Sequence, residues 1–144
     1  MTLVTKFLVF AMAAQVLLTL FILVWMGRER VPRVMSGEIA MADIAVERTA
    51  YPLKARLLSN NFENQFQLPV LFFVAALLAL ALGIVGWVEV VLAWLFVAAR
   101  YLHAAIHVTS NHVLSRFAAY SVGLAVLTLL WLWLVLRIFL APSI

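Results

Sequence analysis

An arginine and two histidines share one face of a segment that is otherwise apolar. Arg100, His103 and His107 recur at i, i+3 and i+7, a spacing that aligns side chains along a helix. An arginine inside a membrane helix costs at least about 2.5 kcal/mol on insertion scales, so its presence needs a reason. The face predicts either a polar ligand or an arginine that extends to the membrane surface beside interfacial histidines.

The two histidines also form an HxxxH pair, and His112 follows five residues later. This spacing can hold a metal ion on a helix, but the stretch offers no carboxylate to complete the ligand set. We therefore predict hydrogen-bonded histidines and no metal site. A haem or metal carrier that uses His103 and His107 is kept as a separate hypothesis.

A second polar face lies on the helix that leads into the preceding apolar segment. Its residues, Arg56, Asn60, Glu63 and Gln67, recur at spacings of four, three and four. Glu63 can pair with a cation, and Asn60 offers both a donor and an acceptor. The face fits either a zwitterionic ligand or polar contacts that lock neighbouring helices together.

Arg116 stands at the beginning of the last apolar segment, and Tyr120 follows one helical turn later. The N-terminus of a helix favours negative charge, so an arginine there suits a bound anion such as a thiolate or a carboxylate. The sequence has no cysteine, so a thiol would have to come with the ligand. The alternative is an ordinary arginine of a cytoplasmic loop.

A membrane scaffold must position these side chains. Of the 144 residues, 67% are hydrophobic and 11% are charged, and the mean hydropathy is +1.14, which leaves too little polar surface for a soluble domain. Several apolar runs reach the ~20 residues that cross a bilayer, where helices satisfy their own backbone. We predict an all-α, integral membrane four-helix bundle that forms a single domain over residues 1–144.

Helix breakers and apolar runs predict where the elements begin and end. Gly27 and Pro32 should end the first helix, Pro52 should start a helix outside the hydrocarbon, and Pro69 should kink the second span. The predicted spans are about 3–26, 66–85, 87–108 and 117–140, with a loop at about 27–64.

Basic residues favour one side of the membrane. The loop between the first two spans holds six of them and the last connection adds Arg116, whereas the other side has only Lys6 and Arg137. Since basic loops stay in the cytoplasm, both loops should be cytoplasmic and both termini outside. The net charge of +4 is scattered around apolar spans, so we expect the lipid bilayer, and no nucleic acid, as a partner.

Taken together, these segments resemble the membrane-associated proteins in eicosanoid and glutathione metabolism over most of the chain. Residues 56–63, Arg-Leu-Leu-Ser-Asn-Asn-Phe-Glu, are similar to the family's Arg-x-x-x-Asn-x-x-Glu motif, which a proline follows. Residues 100–107, with Arg116 and Tyr120, are similar to the region that joins the family's third and fourth helices. Residues 60–73 look most like the bacterial branch, which implies a bacterial inner membrane.

The resemblance implies a homotrimer that holds glutathione between subunits at the cytoplasmic side and acts as a transferase or peroxidase on hydrophobic electrophiles. Arg116 would stabilise the glutathione thiolate. Glu63 would face the amino group of glutathione and Arg56 its carboxylates. Asn60, Arg100, His107 and Tyr120 would complete the pocket, and Arg28 or Arg30 would add a further carboxylate contact.

Two positions differ from the eicosanoid enzymes of that family. Pro69 lies six residues after Glu63 rather than four, and His107 stands where those enzymes carry a tyrosine. A function of another class therefore stays open. In it the chain is a non-catalytic oligomeric membrane protein, and the same polar residues form inter-subunit salt bridges or bind lipid headgroups.

Overall fold

The computed structural model describes residues 1–140, and its regular elements in this range are helices. Within this range four helical stretches are long and apolar enough to cross a membrane, one of them made of two consecutive helices. The elements are α1 (Leu3–Met35), a 3-10 turn (Met41–Ile44), α2 (Leu53–Asn64), α3 (Leu68–Ala81), α4 (Trp87–Val108) and α5 (Val113–Leu140).

The first helix is longer than its sequence predicts. It continues through Gly27 and Pro32 and ends at Met35, so the first part of the predicted loop is helical. A proline this close to the end of a helix removes only one backbone hydrogen bond. Val34 packs against the buried cluster around Tyr51, which holds the last turn in place. The chain then turns at Gly37, which has a positive φ of 77°.

The second span is broken rather than merely kinked. α2 ends at Asn64 and α3 begins at Leu68, just before Pro69. Pro69 has no N–H to donate, and the three intervening residues form tight turns instead of continuing the helix. The break leaves the carbonyl of Asn64 free to accept a hydrogen bond from Arg100 on α4 at 2.9 Å. A neighbouring helix therefore satisfies the interrupted backbone, as expected in a membrane.

The last two spans form a hairpin whose link is shorter than predicted. α4 covers the predicted residues, but α5 begins at Val113, four residues earlier than expected. The cause is His112, whose ring Nδ1 accepts a hydrogen bond from the backbone N–H of Ser115 at 3.4 Å and thereby caps the first turn. Asn111 turns the chain with a positive φ of 48°.

The helices pack through small side chains, and the larger apolar residues on the outside suit a lipid environment. The main core contains Phe72 and Phe96, whose stacked rings lie 4.8 Å apart, together with alanines of α1, α3 and α4. Small residues allow membrane helices to approach closely. A buried amide chain then ties α1, α2 and α4 together: Gln15 donates to Gln65, Gln65 to Asn61, and Asn61 to the carbonyl of Ala104.

A buried carboxylate closes the end of the bundle farthest from the α4–α5 link. Glu89 is only 1% exposed, and it accepts hydrogen bonds from Arg137 at 2.7 Å, Trp133 at 3.0 Å and the backbone N–H of Gly86 at 2.9 Å. These donors compensate the negative charge of Glu89, and the hydrogen bonds join the start of α4 to the end of α5. Arg137 thus has a structural role.

Candidate functional site

A polar cavity of about 460 Å³ opens between α2, α4 and α5, at the end of the bundle where α4 turns into α5. Its size falls within the range of about 300–1,000 Å³ that is usual for small-molecule sites. All of its lining residues except Gln67 belong to one of the three helices. The lining residues are Asn60, Glu63, Asn64, Gln67, His103, His107, Val113, Arg116, Phe117 and Tyr120.

The α2 wall consists of side chains at helical spacing. Asn60, Glu63 and Asn64 line the cavity, and Gln67 follows just beyond the end of the helix. Glu63 forms an ion pair with Arg48 of the preceding loop, and the side chain of Glu63 is 54% exposed. The hydrogen bond to Glu63 raises the pKa of the Arg48 guanidinium above its usual range. The carboxylate of Glu63 at the rim of the cavity is therefore already paired with Arg48 of the loop.

The α4 wall consists of the two histidines. His103 Nδ1 lies 3.1 Å from the carbonyl oxygen of Arg116, so it acts as a donor there. His103 Nε2 and both ring nitrogens of His107 are buried and have no hydrogen-bond partner within residues 1–140. Buried polar atoms of this kind are usually satisfied, so their state here points to a ligand or water in the cavity.

Arg100 lies one turn deeper than the histidines and does not line the cavity itself. Its side chain is 1% exposed, and its only acceptor in the described part of the chain is the carbonyl of Asn64. The Nε and Nη1 donors of Arg100 are buried and unpartnered. A guanidinium without a counter-ion at this depth adds positive potential beneath the cavity and favours an anion above it.

The α5 wall carries Arg116 and Tyr120. Arg116 is the fourth residue of α5, and its Nη1 donates to Asn111 Oδ1 at 2.6 Å. Asn111 thereby orients the guanidinium and leaves its remaining donors for other acceptors. The ring of Tyr120 lies 5.7 Å from the ring of His103, so the tyrosine and the histidine pack side by side on the wall.

Besides Gln67 and His103, the cavity brings together five of the side chains that the resemblance assigned to glutathione, whereas three others lie outside it. Asn60, Glu63, His107, Arg116 and Tyr120 all line the cavity. Arg56 is exposed on α2, one turn before Asn60, and Arg100 lies behind the wall. Arg30 lies elsewhere, with its guanidinium 4.6 Å from the ring centroid of Tyr51.

Two polar residues of the site were not predicted from the sequence. Asn64 stands four residues after Asn60 and three before Gln67, so its helical spacing was a signal that could have identified it. Arg48 had no such signal, because it reaches Glu63 from an irregular loop.

The geometry suits an anion and does not form a metal centre. Arg116, the histidine donors and the buried Arg100 all favour negative charge on a ligand, while Glu63 at the rim can hold a cationic group. Among residues 1–140 no group of three or more histidine and carboxylate side chains is close enough to hold a metal ion. A ligand that carries both carboxylate and ammonium groups would find partners of opposite charge at this site.

Comparison with protein families agrees with this architecture. The family model described as "MAPEG family" matches residues 8–136, a range that contains all of α2, α3 and α4 and most of α1 and α5. Comparisons with curated proteins and with solved structures gave no match. The match extends over most of the chain and includes every residue that lines the polar cavity. The protein is therefore a multi-pass membrane protein of the MAPEG family, the membrane-associated proteins in eicosanoid and glutathione metabolism.

Proposed function

We propose that this protein is a glutathione-dependent transferase with peroxidase-like chemistry, which acts on hydrophobic electrophiles that reach it from the lipid. The family includes enzymes of this kind, and the polar cavity has the charge and size for glutathione. The observation that carries the proposal is the convergence of Glu63, His107 and Arg116, from three different helices, on one cavity.

In the proposed site Arg116 acts on the sulfur. A thiol is a poor nucleophile until it loses its proton, and a guanidinium beside it favours the thiolate. The proton leaves to solvent, the thiolate attacks the electrophilic carbon, and the leaving group departs with its bonding electrons. Asn60, Glu63, His107 and Tyr120 would hold the peptide, with Glu63 facing its amino group. Arg100 would contribute from behind the wall.

Three arginines lie outside the polar cavity of a single chain, and only one of them belongs to this proposal. Arg56 lies one turn outside the cavity and would reach a carboxylate that extends from it. We leave Arg28 and Arg30 out of the glutathione set. Arg28 is exposed beside Trp25, and Arg30 packs on Tyr51, so within one chain neither lines the cavity.

We further propose that three copies form the functional unit in a bacterial inner membrane, as the family resemblance implies. The cavity is open at one side, and a neighbouring subunit would close it and exclude water from the thiolate. Native mass spectrometry of the detergent-purified protein should give a mass three times that of the 16.1 kDa chain.

A direct test combines binding with turnover. Glutathione should raise the melting temperature of the purified protein, and the protein should conjugate glutathione to a chloronitrobenzene with release of chloride. Arg56→Ala should abolish the thermal shift. Lys6→Ala, which changes a basic residue near the start of α1, should keep it. Absence of both binding and conjugation would overturn the proposal. It would favour the non-catalytic alternative, in which Glu63 and Arg100 serve contacts between subunits.

A further inference from the structure

A second cleft lies away from the polar cavity, between the last turns of α1 and the loop that follows. It measures about 500 Å³, and its wall is apolar apart from one arginine. Leu23, Met26 and Val34 form the α1 side of the wall, and Ile44 and Tyr51 form the loop side. Because it shares no lining residue with the polar cavity, it is a separate site.

The cleft crosses the boundary between hydrocarbon and water. Leu23 belongs to the apolar run of α1, whereas Met35 is the last residue of the helix, about 18 Å further along at 1.5 Å per residue. Trp25 lies at this level, and the ammonium of Lys54 is 4.5 Å from its ring centroid. Tryptophan beside basic residues is typical of the interface between lipid chains and headgroups.

Arg30 gives this cleft an uncompensated positive charge. Its guanidinium packs on Tyr51, and its Nε is buried without a hydrogen-bond partner among the residues described. Arg30 forms no ion pair within residues 1–140, and the carboxylates of Glu29 and Glu38 pair with Arg33 at 3.2 Å and 3.7 Å. A half-buried guanidinium of this kind favours an external anion.

The floor of the cleft has space for an apolar chain. Gly27 lines it, and a Cβ atom added at Gly27 would meet no other atom within 4 Å. The helix therefore leaves a gap beside Arg30 that protein atoms do not fill. An apolar gap that ends at a cation can hold an amphiphile, with the apolar chain in the gap and the anionic headgroup at the cation.

We propose that this cleft binds an anionic phospholipid of the surrounding bilayer, with an acyl chain along Leu23 and Gly27 and the phosphate at Arg30. The proposal does not rest on glutathione chemistry, since neither Arg30 nor Gly27 lines the polar cavity. One basic side chain near a membrane surface is worth about 1 kcal/mol towards anionic lipid, which corresponds to about a fivefold preference.

The test uses full-length protein in a non-ionic detergent, without glutathione. It is titrated with phosphatidylglycerol or with phosphatidylcholine of the same acyl chains, and bound lipid per chain is counted by native mass spectrometry. The wild-type protein should prefer phosphatidylglycerol by about fivefold. Arg30→Gln should lose the preference, whereas the matched control Arg28→Gln, an exposed arginine that lies outside the cleft, should keep it.

A second variant tests the acyl chain separately from the charge. Gly27→Leu should fill the gap and weaken binding of both lipids by at least about fivefold, while the charge of Arg30 is unchanged. Equal binding of the two lipids by the wild-type protein, or an unchanged preference in Arg30→Gln, would overturn the proposal. So would displacement of the lipid by inorganic phosphate alone. Loss of the oligomer in Arg30→Gln without a change in bound lipid would instead assign the cleft to a second copy of the chain.

Discussion

At the scale of single residues, the site combines buried nitrogen atoms that lack hydrogen-bond partners with one carboxylate that already has a partner. Arg100 and His107 keep buried donors unpaired, whereas Glu63 is paired with Arg48. This imbalance means that an anionic ligand gains contacts on the α4 and α5 walls, while its ammonium must compete for Glu63. Two substitutions separate these effects.

The first concerns the thiolate. Arg116→Ala should lower kcat for glutathione conjugation by about 10²-fold, because the removed group stabilises charge that develops on sulfur. Arg116→Lys should retain part of the rate, since it keeps the charge but not the planar guanidinium. The measurement is steady-state kinetics with thermal shift by glutathione as the binding control. Equal rates in the wild-type protein and Arg116→Ala would remove Arg116 from the chemistry.

The second concerns the rim of the cavity. Arg48→Ala should tighten glutathione binding by up to about fivefold, because breaking an exposed ion pair costs at most about 1 kcal/mol and leaves Glu63 free for the ammonium. Calorimetry measures the change. In the Glu63→Gln background the same substitution should have no effect, which a double-mutant cycle reveals. Weaker binding in Arg48→Ala alone would mean that Arg48 itself contacts the ligand.

At the scale of elements, the two ends of the bundle are built differently. The end with the cavity has a broken helix, free donors and an open wall, whereas the opposite end is closed by Glu89 and its donors. Because Pro69 prevents one continuous helix, the carbonyl of Asn64 is exposed to Arg100 and the two elements hold each other. Stability and ligand binding should therefore depend on different ends.

Arg137→Met tests this separation. Breaking a fully buried ion pair costs about 3–5 kcal/mol, and we expect about 2 kcal/mol here because Arg137 is 34% exposed while Glu89 is 1% exposed. Thermal melting in detergent should show the loss. Lys6→Met, an exposed basic residue on α1, should leave the melting temperature unchanged. Glutathione affinity should stay the same in both variants, and a large drop in Arg137→Met would contradict a purely structural role.

At the scale of the whole molecule, the two proposals place the polar cavity and the apolar cleft on the cytoplasmic side of the membrane. Seven of the ten lysines and arginines lie between Arg28 and Arg56 or at the start of α5, and the polar cavity and the cleft both lie beside them. Basic loops are retained on the cytoplasmic side during insertion, so these two regions should share a side.

The absence of cysteine allows a clean test of this topology. Single cysteines at the exposed positions Ser36 and Ser110 should react with a membrane-impermeant maleimide only from the cytoplasmic side. A cysteine at Thr2 should react only from outside. Labelling of the cysteines at positions 36 and 110 from opposite sides would place the two loops on opposite sides of the membrane. It would then exclude a common site for α2 and α5.

The sequence alone determined the membrane spans and the polar faces of the helices, because hydropathy and helical spacing are properties of neighbouring residues. α4 covers the residues predicted for the third span, and the MAPEG resemblance was confirmed as family membership. α1 continues past Pro32 to Met35 and α5 begins at Val113, because a packed turn at Tyr51 and a cap from His112 add contacts that the local sequence does not show.

Only the tertiary structure decided which polar residues meet. Glu63 pairs with Arg48 rather than with Arg56, and Arg30 turns to Tyr51 rather than to the cavity. Each of these contacts joins a loop residue to a helix residue. Helical periodicity predicts which residues of a helix share a face, but it does not predict where a loop residue lies. They depend on how the helices rotate and pack, which is set by the shape of the whole core rather than by any single segment.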